Sequence, residues 1–405
     1  MATPAGRPLF EVADVVRAHL DDYRRARPLS ATQERVLRRI ATCRTAALGG
    51  HVDTCQGCGH TRISYNSCRD RHCPKCQSLE REAWLEQRLE RLLPVPYFHA
   101  VFTLPEELHA LALGNKRVVF GILFKAAAAT LQRIAADPKH LGAELGITAV
   151  LHTWGQNLLF HPHLHCVVTG GGLSPDGERW VPAREQYLLP VHVLGQVFRG
   201  KFVEALGRAW EAGELRVDRG TSDALDPQRW AMLKRRLYAK DWVVYVKPPF
   251  GGPERVFRYL GRYTHRVAIS NWRITNFDAG RVTFTLKDYA DGGRRTSMTL
   301  DALEFLRRFL LHVLPKGLVR IRHYGLNAGS NVDRKLAVAR QILEPNPMRE
   351  SEPASPKAWS ERIRERTGLD LMACPCCAGR LVRTELAPTS HRLPQLVGTT
   401  FARAP

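Results

Sequence analysis

The sequence has no uninterrupted apolar stretch approaching the ~18 residues that a membrane-spanning helix needs, which argues against a membrane span. Its beginning does not read as a secretory leader either. In MATPAGRPLFEVADVV, Glu11 and Asp14 fall where such a leader is unbroken and apolar. A cytoplasmic setting is expected, where thiols stay reduced and cysteines serve purposes other than disulfides. Acidic residues are scarce: 39 Asp and Glu face 60 Lys and Arg, a net charge of +21. Charge of this size speaks about partners and not about fold, and nucleic acid is the polyanion it most simply suits. No internal repeat is visible, which excludes solenoid and propeller arrays. What is present is a chain of 405 residues, 44% hydrophobic, able to bury two or three domain cores.

Residues 8–48 read as helical, with apolar positions such as Val15, Val16, Leu20, Val36 and Ile40 and a break near Pro28. Residues 49–76 turn to Gly, Cys, His and Asn, a small metal-organised module. A helix is predicted over 78–93, with Leu85, Leu89 and Leu92 on one face and Pro94 ending it. From Tyr97 the pattern is mixed: a strand over 97–104, an Ala-rich helix over 115–136, and a hairpin of strands 146–156 and 163–170. Residues 190–238 read as a helical insertion. A strand over 242–248, a helix from Pro253 and strands near 267–275 and 281–287 follow. Asp301 and Glu304 resemble a capping box opening another helix. Past residue 345 the composition becomes linker-like. The expected divisions are 1–93, helical and zinc-ribbon; 94–330, catalytic, with the insertion about 190–238; and 331–405, a basic tail with a lone cysteine knuckle.

Cys55-x2-Cys58 and Cys73-x2-Cys76 are two knuckles fourteen residues apart, and four thiolates so spaced suit a tetrahedral structural Zn²⁺. Cys68, His60 and His72 lie within reach as alternative ligands. Four sulfurs would leave no open position for chemistry. Arg62, Arg69, Arg71 and Lys75 stud the module, where a phosphate backbone could lie. Cys374-x2-Cys377 stands as a lone knuckle, and Cys43 and Cys166 read as packed side chains.

In HPHLHCVV, His163 and His165 are two apart, so on a strand both imidazoles face one side, opposite Leu164 and Cys166. Two imidazoles on one face can chelate a divalent cation. His161 extends the series toward the H-x-H-x-H pattern of histidine-triad nucleotide hydrolases, although Pro162 would interrupt the strand. A third ligand is sought on the neighbouring strand, where Gln156 offers its amide oxygen, unless it only bonds the loop. Farther on, GGPERVFRYLGRYTHRV reads as a helix with Val256, Phe257 and Leu260 inward and Tyr259 and Tyr263 stacked at i and i+4. Arg255, Arg258, Arg262 and Arg266 gather on the flank, where DNA could lie.

A histidine pair on a strand followed by Tyr-x3-Tyr on a helix resembles the two-tyrosine HUH endonucleases. The cysteine module, FTLPEEL, HPHLHCVV and RYLGRYTHRVAISN, in that order over about residues 40–330, resemble bacterial rolling-circle insertion-sequence transposases of the IS91 type. The resemblance implies an α+β fold, an antiparallel sheet flanked by helices, with an N-terminal helical and zinc-ribbon domain. It implies Tyr259 and Tyr263 as nucleophiles, His163 and His165 as ligands to Mg²⁺ or Mn²⁺, and single-stranded and transposon-end DNA as partners in a bacterial cytoplasm. Plasmid replication initiators and relaxases would share the chemistry. A non-enzymatic zinc-ribbon DNA-binding protein would need neither the histidines nor the tyrosines.

Overall fold

The structure is a computed structural model describing residues 8–76, 84–86, 88–216, 227–249, 261, 267–289, 291–329, 332–344, 359–368 and 370–389. Helices α1 (Val12–Ala26) and α2 (Ala31–Thr42) come first. Each starts on a capping box, Glu11 with Asp14 and Ser30 with Gln33, which satisfies amides that the first turn leaves over. Pro28 lies in the connection between them, where no helical hydrogen bond is lost. Strands β1 (Gly50–Cys55) and β2 (Thr61–Tyr65) form an antiparallel hairpin.

The middle of the chain supplies β3 (Tyr97–Thr103), α3 (His109–Gly114), α4 (Lys116–Ala136), β4 (Glu144–Trp154), β5 (Phe160–Leu173), β6 (Trp180–Pro182), α5 (Val191–Glu211), α6 (Pro227–Tyr238) and β7 (Val244–Lys247). A meander follows, β8 (Ile274–Asp278), β9 (Arg281–Asp288) and β10 (Arg294–Asp301), leading into α7 (Ala302–Leu311). The last elements are β11 (Ile321–Gly325), α8 (Val332–Leu343), α9 (Trp359–Thr367) and β12 (Leu381–Leu386). Asp301 caps α7 by accepting from the Leu303 amide at 2.8 Å. Glu304 does not reach back to close the box and instead binds Arg307 and Arg308.

The central sheet runs β11-β4-β5-β3-β7, antiparallel throughout, with β6 added to β5. Alternation divides each strand between two faces. On one face Phe98, Ala100, Phe102, Ile147, Leu151, Leu164 and Cys166 bury against Phe120, Leu123, Phe198 and Phe202 of α4 and α5. Each such phenylalanine contributes roughly 1.5–3 kcal/mol by leaving water. Helix α4 is long and apolar enough to cross a membrane by length and composition, yet 67% of that window is buried in this core. The sheet and its flanking helices match the expected α+β architecture.

A second core joins Val16, Leu20, Leu37 and Ile40 of α1 and α2 to Phe284, Phe305 and Phe309. The expected boundary at residue 93 therefore does not separate two cores, because the N-terminal helices need the meander and α7 to bury their apolar faces. A third core packs Leu85 and Leu93 against Tyr97, Val167, Leu326 and Leu336. The segment expected as a tail thus begins with a helix packed into the molecule. It also returns: β12 pairs with β1 from Gly50↔Leu386 to Cys55↔Leu381.

Candidate metal centres

On the other face of the central sheet, β4 and β5 place His152 directly opposite His163, and His165 follows two residues along β5. The candidate ligand nitrogens of these three imidazoles all lie within 4.8 Å of one another. The hairpin does this by register, since the turn at 155–159 and the shift in pairing between His152 and Trp154 set which residues meet. Pro162 sits inside β5 beside that irregularity, where a missing N–H is tolerated, and its carbonyl accepts from the Leu104 amide at 3.0 Å.

Hydrogen bonds behind the rings orient them. His163 Nδ1 lies 2.7 Å from the His161 carbonyl, so Nδ1 carries the proton and Nε2 presents its lone pair. That Nε2 is 3.0 Å from His165 Nε2. His165 Nδ1 lies 2.7 Å from Nε2 of His99 on β3. For His165 Nε2 to offer a lone pair too, its Nδ1–H must donate to His99. Such outer partners raise the basicity of ligating imidazoles and fix their orientation. Burial pushes His163 and His99 down to about 4 and His165 well below its ordinary value, so the imidazoles stay neutral at physiological pH. Neutral nitrogens converging on one point fit a divalent cation.

The structure brings to this cluster a residue that sequence spacing did not indicate, His152. Gln156 lies in the turn beyond β4, where its backbone carbonyl accepts from the Arg273 guanidinium at 2.5 Å. The available signal was register: counting back across the turn from His163 reaches His152. His161, the third member of the H-x-H-x-H series, is exposed and contributes its carbonyl. Tyr259, Tyr263, Arg255, Arg258, Arg262 and Arg266 lie outside the described residues. Gly261, between the two tyrosines, is described and helical. A Cβ on it would meet Leu85 Cδ1 at 3.6 Å. Leu85 packs in the core containing Tyr97 and Val167, which share the histidine face of β3 and β5.

The cysteines form two clusters of four, and the expected set of Cys55, Cys58, Cys73 and Cys76 is divided between them. Cys73 and Cys76 join Cys43 and Cys68, with Cys76 Sγ 3.3 Å from Cys43 Sγ and 3.5 Å from Cys68 Sγ. Cys43, expected as a packed side chain, is thus a candidate ligand from the end of α2, and Cys68, weighed as an alternative, takes a full place. Cys55 and Cys58 instead meet Cys374 and Cys377, so the C-terminal knuckle is not alone. Cys166 is a packed core side chain, as expected. His72 is no ligand: its Nδ1 is 2.8 Å from Asp70 and its Nε2 accepts from the Leu314 amide at 3.1 Å.

The expected DNA contacts of the cysteine module divide as well. Arg71 donates to the Leu318 and Pro315 carbonyls at 2.6 and 2.7 Å, so it ties the module to the chain after α7 and is not free for phosphate. Arg62 donates to Asp53 and Lys75 pairs with Glu11. Arg69 is exposed.

Two four-cysteine clusters and a three-histidine cluster on a sheet face, each able to hold a metal ion, sit apart from one another in an α+β protein. Residues 146–335 match the family described as "Putative transposase", and residues 15–104 match the "Transposase zinc-binding domain". The chain is 51% identical over 378 residues to "Putative transposase y4qJ" of Sinorhizobium fredii, covering 93% of this chain and 95% of that one. It is 27% identical to the transposase for insertion sequence element IS801 of Pseudomonas savastanoi pv. phaseolicola, covering 85% and 82%. The conjugative relaxase TrwC in complex with oriT DNA, metal-bound, overlaps 41% of this chain and 69% of its own at 15% identity and a TM-score of 0.22. The chain belongs to the IS91-type family of insertion-sequence transposases with an N-terminal zinc-binding domain.

Proposed function

We propose that this chain moves an insertion sequence by nicking and rejoining single-stranded DNA through a 5′-phosphotyrosine. The observation that carries this reading is the His152, His163 and His165 cluster, on the same sheet face whose core receives Gly261 from between Tyr259 and Tyr263. In this reading those histidines hold Mg²⁺ or Mn²⁺, with His152 as third ligand instead of Gln156. Held by His152, His163 and His165, a divalent cation would supply Lewis-acid charge for phosphoryl transfer.

The chain's own groups do the rest. A phenol is a weak nucleophile at neutral pH, with a pKa near 10, so it must be held in line with phosphorus and lose its proton as it attacks. The phenolic oxygen forms the new P–O bond, the bond to the 3′ oxygen breaks, and that oxygen leaves as a protonated hydroxyl. The phosphotyrosine keeps the energy of the broken linkage, so a free 3′-hydroxyl can reverse the step without ATP. With two tyrosines, one holds the donor end while the other cleaves again. Arg255, Arg258, Arg262 and Arg266 on that segment, exposed Arg69 and the net charge of +21 grip the strand and the transposon ends in the cytoplasm. The cluster of Cys43, Cys68, Cys73 and Cys76 holds structural Zn²⁺.

The test is a covalent adduct. Wild type incubated with a labelled single-stranded oligonucleotide and Mn²⁺ should give a denaturation-resistant protein–DNA species, mapped by peptide mass to Tyr259 or Tyr263. Tyr259→Phe with Tyr263→Phe keeps both rings and should lose it entirely. An adduct persisting in the double variant, or cleavage releasing a free 5′-phosphate without adduct, sinks the mechanism.

A further inference from the structure

The cluster of Cys55, Cys58, Cys374 and Cys377 draws its members from opposite ends of the chain, and Cys374 and Cys377 lie outside both family-matched stretches. Its halves repeat one turn. In the first, the Cys55 amide donates to the His60 carbonyl at 2.8 Å, the Gly59 amide to the Cys55 carbonyl at 3.1 Å, and the Gly57 amide to Cys55 Sγ at 3.3 Å. In the second, the Cys374 amide donates to the Gly379 carbonyl at 2.8 Å, the Ala378 amide to the Cys374 carbonyl at 2.9 Å, and the Cys376 amide to Cys374 Sγ at 3.4 Å. The fifth residue of each turn is left-handed, Gly59 at φ +72° and Ala378 at φ +57°. Amides aimed at the first sulfur of a C-x2-C turn stabilise thiolate there.

The two turns face each other. Cys55 Sγ lies 3.4 Å from Cys377 Sγ, and Cys58 Sγ lies 3.6 Å from Cys374 Sγ. Tetrahedral zinc with Zn–S bonds of ~2.3 Å separates its sulfurs by about 3.8 Å. A side chain at Gly379 would crowd this centre, its Cβ falling 3.2 Å from both Cys377 Sγ and Cys55 Sγ. Behind the turns, β12 pairs with β1, and Asp53 accepts from Arg62 of β2 and Arg383 of β12, both at 2.8 Å. Among the described residues the buried apolar cluster here is only Cys55, Cys374 and Leu381. A three-stranded sheet with so small a core needs a staple.

We propose that Cys55, Cys58, Cys374 and Cys377 bind a second structural Zn²⁺, completing a ribbon from both ends of the chain and fastening the C-terminal segment to the N-terminal hairpin. This stands apart from the tyrosine mechanism. Full-length protein should carry about two zinc per chain by elemental analysis. Cys374→Ser with Cys377→Ser should leave about one. In that variant amide exchange over 50–55 and 381–386 should rise at least about tenfold, while β3 to β5 stay protected. Cys376→Ser, exposed and outside the cluster, should keep both metals. A double variant that keeps all the zinc of wild type, or disulfides linking the four cysteines, would overturn the proposal. Cobalt loading reads the same site optically: thiolate-to-cobalt absorption should saturate about one equivalent higher in wild type than in the double variant, and equal saturation overturns it.

Discussion

His165 and His99 meet ring to ring across β5 and β3, Nδ1 of the first 2.7 Å from Nε2 of the second. With the His165 Nδ1–H donating to His99, His165 Nε2 keeps its lone pair toward His163. His99→Phe should weaken divalent-metal binding by about 10–100-fold, the usual cost of losing an outer partner. His99→Gln, which keeps an acceptor, should recover most of it. Calorimetric titration with Mn²⁺ reads both, and equal affinities for wild type and the Phe variant would make His99 a packing residue only.

The third ligand separates two candidates. His152→Ala should abolish metal-dependent nicking as fully as His163→Ala or His165→Ala, while DNA binding stays near wild type because the basic surface supplies affinity. Gln156→Ala should nick at close to the wild-type rate, since its backbone carbonyl makes the bond to Arg273. The reverse ranking in a nicking assay would restore Gln156.

Cys43→Ser should release the zinc of the first cluster and lower thermal stability, because Cys43 and Cys73 also sit in the core shared by α1, α2 and α7. Loss of a structural zinc removes binding free energy that is also folding free energy. Unchanged zinc content in this variant would return Cys43 to the role of a packed side chain.

Acid should destabilise the fold through His312. It is fully buried, its Nε2 3.0 Å from the Leu158 carbonyl and its Nδ1 3.1 Å from the Thr153 hydroxyl, and burial pushes it down to about 3. A histidine lowered in the folded state gives stability that is full above its unfolded pKa near 6.5 and lost as pH falls toward 3. At pH 5 the loss is about 2 kcal/mol. In urea unfolding, wild type should weaken between pH 7.5 and 5 more steeply than His312→Asn. Parallel pH profiles would contradict this.

Much of the fold was legible because its signals are local. Alternation in YFHAVFTL and HLHCVV, apolar spacing in α1, α2 and α4, and Asp301 before α7 each depend on neighbours within a turn or strand. The second and third cores were not, because a helix face declares that it must be buried without declaring against what. Leu20 and Ile40 meet Phe305 and Phe309 through a chain return of more than 260 residues.

The same division runs through the cysteine and histidine clusters. The sequence alone determined that cysteines at C-x2-C spacing and histidines at i, i+2 would each present their ligands together, since one turn or one strand face brings them into range. Which pairs combine was decided by tertiary structure. The β4–β5 register chose His152, and the end of α2 delivered Cys43. The pairing of β12 with β1 matched Cys55 and Cys58 to Cys374 and Cys377, not to the nearer Cys73 and Cys76. A tetrahedral ion needs four atoms within a few ångströms and is indifferent to their separation along the chain. Spacing identifies the halves of such a site, and only folding joins them.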